Sequence, residues 1–204
     1  VIVGKWLTEI ALALYIPIKW LIKPTIFKHF CGGETVKESR EKMAELAKSN
    51  LKSVLDYSAE GKHSETDFDN CAKEIIDIIQ EASKNTNIGF SVFKPTGVAR
   101  FALLEKISTH LLDNGQVVMQ GSNNSKYANG LSELELKEFT RAQERFNRIC
   151  KASFEAGVPV FVDAEESWIQ KVVDELVKDM MNIYNREKPI VYNTFQLYRT
   201  DRVS

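Results

Sequence analysis

Only three cysteines occur among 204 residues, and they exclude two classes of small protein. Cys31, Cys71 and Cys150 are odd in number, far apart and in no C-x-x-C pair, so neither a disulfide framework nor a structural zinc site is encoded. Free thiols of this kind fit a reducing compartment. Net charge is equally scarce: 27 Lys and Arg against 28 Asp and Glu leave -1, with no basic cluster interleaved with aromatics. Nucleic acid is therefore not an expected partner. The most apolar stretch, residues 6–22, is flanked or interrupted by Lys5, Glu9, Pro17, Lys19 and Lys23, and falls short of the about 20 apolar residues that span a bilayer. No G-x-G-x-x-G, Walker loop or G-x-S-x-G is present, which removes dinucleotide-fold, nucleotide-hydrolysing and serine-hydrolase readings. His29, His63 and His110 stand at no ligand spacing, so no metal site is expected.

What is present is a chain with 44% hydrophobic and 10% aromatic residues, ample for a buried core. Residues 1–36 read as an N-terminal helical arm broken at Pro17 and Pro24. Gly32-Gly33 punctuates, and Thr35 with Glu38 at capping-box spacing opens a helix over residues 36–50. Four short apolar strands follow at residues 54–60, 90–94, 160–165 and 190–196. Helices are expected between and before them at 67–83, from Phe101 through Leu111, at 132–155 and at 168–184. Ser132 with Glu135 caps the third of these, and Gly157 ends it. Residues 115–130, rich in Asn, Ser and Gly, read as a long loop.

Strands alternating with helices of ten or more residues require right-handed crossovers and a parallel sheet. The expected class is α/β of the (β/α) kind: an eight-stranded TIM barrel needs roughly 200 to 250 residues, so the chain after its arm supplies about half of one, or a small open sheet. In a parallel barrel the strand C-termini line one mouth, so Glu60, Lys94, Asp163 and Gln196 are expected at a common pocket. Each also has a plainer reading. Lys94 suits a solvated strand end, Glu60 before Gly61 a turn, and Gln196 an exposed position. Asp163 with Glu165 and Glu166 suits the N-terminus of the helix carrying Trp168, and Trp168 itself suits a core or interface.

Four segments carry a more specific signal. Thr25-Ile26-Phe27-Lys28-His29-Phe30-Cys31-Gly32-Gly33-Glu34-Thr35, Leu55-Asp56-Tyr57-Ser58-Ala59-Glu60-Gly61, Val162-Asp163-Ala164-Glu165-Glu166-Ser167-Trp168 and Tyr192-Asn193-Thr194-Phe195-Gln196-Leu197-Tyr198 resemble, in series, segments of the FAD-dependent proline dehydrogenases. The resemblance implies a (β/α)8 TIM barrel, with residues 37–204 as its first half, in an oxidoreductase that converts L-proline to pyrroline-5-carboxylate by hydride transfer to FAD and passes the electrons to a membrane quinone. It implies that Lys94 pairs with the substrate carboxylate, that Glu60 holds an arginine of the substrate clamp, and that Asp163 lies at the floor of the site against substrate and cofactor. Gln196 is implied to hydrogen-bond the flavin ring, where a donor stabilises the charge that builds up on reduction.

The arginines of the family's second half have no counterpart in these residues, so the 204-residue chain alone is expected to bind FAD weakly or not at all and to leave proline unoxidised. The resemblance fits a bacterial cytoplasm with peripheral attachment at the inner membrane, or alternatively the mitochondrial matrix and inner membrane. Two other functions stay open on the residues: a non-catalytic unit that forms homo-oligomers through open sheet edges, or a (β/α) lyase of the aldolase kind with Lys94 as Schiff base.

Overall fold

The computed structural model describes residues 32–33, 35–56, 64–113 and 130–200, together with Phe27 and Tyr127. The N-terminal arm apart from Phe27, Gly32, Gly33, Thr35 and Val36, the 115–130 loop apart from Tyr127 and Gly130, and Glu60 lie outside the described residues. The chain divides into two compact units, Val1–Leu51 and Lys52–Ser204. Within the first, helix α1 spans Val36–Ala47, and the Thr35 side chain accepts from the Glu38 N–H at 3.2 Å as its spacing requires. Met43 of this helix is buried.

The second unit alternates strand and helix: β1 (Ser53–Asp56), α2 (Glu65–Ala82), β2 (Ile88–Phe93), a 3-10 turn (Pro95–Gly97), α3 (Phe101–Asp113), α4 (Glu133–Ala156), β3 (Val160–Val162), α5 (Gln170–Tyr184) and β4 (Val191–Asn193). The sheet order is β1-β2-β3-β4, every pair parallel, which is the topology of a partial (β/α) barrel. Local chemistry explains the helix ends. Ser64 and Asp67 form a reciprocal capping box, so α2 opens at Glu65 rather than at 67. Ser132 and Glu135 do the same for α4, and Gly157 ends it in the left-handed region at φ 66. The third and fourth strands stop at Val162 and Asn193, short of the expected 165 and 196, because Phe93 closes the ladder they pair into.

Side chains alternate across a strand, so each strand has two faces. One face, carrying Ser91, Phe93, Val160, Val162 and Val191, is at most 1% exposed. It meets the helices: Phe93 packs edge-on against Phe146 of α4 with ring centroids 5.2 Å apart, and α2 and α5 pack on β2 and β4. The other face, carrying Val54, Phe90, Val92, Phe161 and Tyr192, has no helix of this unit over it among the described residues and is half-buried to exposed.

The helix layer is tied by a buried cation. Arg145 of α4, 2% exposed, donates from Nε to Asp69 Oδ1 at 2.8 Å, from Nη2 to Glu65, and from Nη1 to the Val98 carbonyl at 3.3 Å. Its guanidinium lies 5.5 Å from the Phe68 ring centroid. Arg141, one turn earlier, donates from Nε to Glu65 Oε2 at 2.8 Å.

Candidate active site

Parallel strands deliver their C-terminal residues to one edge, and register decides which of them stand level. Phe93, Val162 and Asn193 are partners across β2, β3 and β4, so Lys94, Asp163 and Thr194 leave three adjacent strands at the same height. Lys94 keeps extended backbone, φ -94 and ψ 132, and its side chain therefore follows Phe90 and Val92 onto the face without helices. The Asp163 N–H donates to the Phe93 carbonyl at 3.0 Å, which prolongs the ladder by one residue and places Asp163 above Phe161. Both are half-buried, and among the described residues neither side chain has a hydrogen bond or ion pair.

Below this charged rim the face is aromatic. Phe90 and Phe161 stack with centroids 4.4 Å apart and planes at 20°, and Tyr192 stands edge-on to them at 5.6 and 5.3 Å. The floor is thus apolar and the rim polar, with one cation and one carboxylate side by side.

The loops beyond the strands are joined to one another. Glu165, after β3, takes both donors of Thr96, after β2: the N–H at 2.9 Å on Oε2 and the hydroxyl at 2.6 Å on Oε1. Gln196, after β4, donates from Nε2 to the Glu165 carbonyl. Thr194 donates from its hydroxyl to the Val162 carbonyl at 3.1 Å. The acids therefore do not cap α5, whose N-cap is Ile169 with no side-chain bond and whose first turn holds no acid. Trp168, read from sequence as a core or interface aromatic, is 51% exposed and so stands outside the core.

Gln196 bears on the cofactor the resemblance implied. Its Nε2 serves a carbonyl, which only accepts, so the amide orientation follows from the partner. The Oε1 is then left buried with no partner among the described residues, and a buried acceptor in this state calls for an N–H donor. A flavin ring carries one such N–H on its pyrimidine edge, so the residue fits the group while offering its acceptor, where the resemblance implied a donor.

Three of the four expected site residues, Lys94, Asp163 and Gln196, thus leave adjacent strands at one rim. Glu60 lies outside the described residues. Sequence reasoning missed Thr96 and the role of Glu165. The available signal was weak: a threonine two places after Lys94 and a glutamate two places after Asp163.

The sequence model of the family described as proline dehydrogenase matches residues 39–204. The chain is 34% identical over 206 residues to proline dehydrogenase 1, mitochondrial, of Dictyostelium discoideum, covering 92% of this chain and 36% of that protein. It is 31% identical over 174 residues to the carbapenem antibiotics biosynthesis protein CarD of Pectobacterium carotovorum, covering 85% and 42%. With proline dehydrogenase 1, mitochondrial, of Arabidopsis thaliana it shares 28% over 203 residues, covering 89% and 41%. The chain thus spans about two fifths of the length of the relatives it matches.

Proposed function

Since the chain belongs to the proline dehydrogenase family, we propose that it supplies four strands of a site that oxidises L-proline to pyrroline-5-carboxylate with FAD as acceptor and a membrane quinone as the onward electron carrier. The observation that carries this reading is the rim itself: Lys94 and Asp163, neither of them paired among the described residues, leave neighbouring strands above an aromatic floor, beside a buried acceptor on Gln196.

Proline is a zwitterion at neutral pH, with a carboxylate and a secondary ammonium on one ring carbon. Strands lie about 4.8 Å apart, so a cation ending β2 and an anion ending β3 present the complementary pair of charges. Lys94 binds the carboxylate and Asp163 faces the amine. Held at both ends, the ring has its carbon beside nitrogen turned in one direction, and such positioning lowers the entropic part of the barrier. FAD, when bound, would supply the acceptor for the hydride from the nitrogen-bound carbon that does not carry the carboxylate, once the ammonium has given up one proton, for which Asp163 is the facing base. Phe90, Phe161 and Tyr192 keep water from the floor beneath, which strengthens the charge pairing at the rim. The names of two relatives, both mitochondrial, support a mitochondrial location. No helix among the described residues is long and apolar enough to cross a membrane.

The test is anaerobic addition of L-proline to flavin-loaded protein in which these four strands are part of a complete family barrel, since residues 1–204 alone are expected to bind FAD weakly or not at all. The reading expects the visible flavin absorbance to bleach, with one pyrroline-5-carboxylate formed per flavin reduced. Gln196→Ala should weaken flavin binding roughly fivefold, the worth of about one hydrogen bond. A flavin that stays oxidised in excess L-proline would overturn the reading.

A further inference from the structure

We infer that Glu165 is a positioning residue: by holding Thr96, its carboxylate fixes the backbone from which Lys94 springs, so that affinity for the substrate carboxylate depends on it. The inference rests on the reading of Lys94 given above.

Lys94 is the extended residue that follows β2, and the 3-10 turn begins at its carbonyl, which accepts from the Gly97 N–H at 3.0 Å. That turn is gripped from three sides. A Cβ on Gly97 would stand 3.0 Å from Cys71 Sγ, so the turn is pressed onto α2. Arg145 of α4 holds the Val98 carbonyl at 3.3 Å. Those two grips fasten the turn to the helix layer. The third, Thr96 to Glu165, joins it to the loop that carries Asp163.

A lysine side chain has four rotatable bonds, and a loose origin would spread its ammonium over a wide arc. Glutamate suits the task because an ionised carboxylate only accepts, so it can take the N–H and the hydroxyl of Thr96 together. Glutamine would turn an N–H toward one of the two donors and lose that bond. Gln196 is held through the main-chain carbonyl of Glu165, not its side chain. Substitutions at Glu165 therefore loosen the β2 loop and leave the Gln196 contact in place.

The experiment measures KM for L-proline, kcat and flavin content in flavin-loaded protein in which these four strands are part of a complete family barrel. Glu165→Ala should raise KM about tenfold, the factor expected for about 1.4 kcal/mol of lost positioning, with kcat within about threefold and flavin content unchanged. Thr96→Ser, which keeps the hydroxyl, should retain the original KM. Lys94→Met combined with Glu165→Ala should be no worse than Lys94→Met alone, because a residue that acts through Lys94 has nothing left to position. If Lys94→Met raises KM while Glu165→Ala does not, the positioning role is wrong. It is equally wrong if the two effects multiply in the double variant. If Lys94→Met itself leaves KM unchanged, the reading of Lys94 fails and this inference falls with it. Should Glu165→Ala not fold, Glu165→Gln and Thr96→Val carry the test, each with a smaller rise in KM, and no rise in either overturns the proposal.

Discussion

Arg145 and Asp69 are joined by a 2.8 Å hydrogen bond from Nε to Oδ1, yet the two ends sit in different media: the arginine side chain is 2% exposed and the aspartate 54%. A buried guanidinium depends on its partners more than they depend on it. Asp69 or Glu65, once freed, would return to water.

Arg145→Met is expected to lower stability by roughly 2 kcal/mol, because it removes the bonds to both acids and to the Val98 carbonyl while keeping much of the volume. Asp69→Asn should cost less than about 1 kcal/mol, since that group is largely solvated and screened. Denaturant unfolding with an unchanged m-value is the measurement, and a larger loss for Asp69→Asn than for Arg145→Met would contradict this account.

Acid should expose the same network. The hydrogen bond from Arg141, followed by those from Arg145, lowers the Glu65 carboxyl from 4.5 to about 2, against the opposing effect of burial. A carboxyl depressed on folding contributes stability that is complete above its unfolded value near 4.5 and fades as pH falls through about 2. Asp69 is lowered too, chiefly by the hydrogen bond from Arg145. Glu65→Gln should therefore flatten the loss of stability below pH 4.5, and an acid limb as steep as that of the parent would refute the assignment.

Gly157 occupies the left-handed region at φ 66, and a Cβ there would meet nothing nearer than Lys188 Nζ at 3.9 Å. Gly157→Ala thus isolates a backbone effect, and about 1 kcal/mol of destabilisation is expected with no change in packing. Thermal unfolding reports it directly.

Burial raises the Cys150 thiol to about 12, so almost no thiolate exists at neutral pH. Iodoacetamide should leave the Cys150 peptide unmodified in the folded protein and alkylate it in denaturant, as read by peptide mass spectrometry. Rapid labelling of the native state would show that the core opens around α4.

Much of this was legible because it is local. Ser132 to Glu135 and the stop at Gly157 are spaced within one helix and can be read off the chain. The alternation of strand and helix was enough for the parallel order, since right-handed crossovers leave few alternatives. Strand ends were less legible: Ala164 and Phe195 are apolar residues beyond the observed ends, but the ladder closes at Phe93, Val162 and Asn193 by agreement among three strands. Thr96 and Glu165 lie 69 positions apart, and Arg145 and Glu65 lie 80 apart, so no periodicity links them. The spacing of Glu65 with Asp69, and of Arg141 with Arg145, one turn apart on two helices, held a faint trace of that network.

The central claim is that the rim holding Lys94 and Asp163 is where proline binds. Acetylation of lysines in the flavin-loaded complete barrel that contains these strands, followed peptide by peptide with and without L-proline, tests it without altering a residue. At L-proline about ten times its dissociation constant, modification of Lys94 should slow roughly tenfold while that of the exposed Lys52 stays constant. Equal rates at Lys94 with and without L-proline would contradict the account.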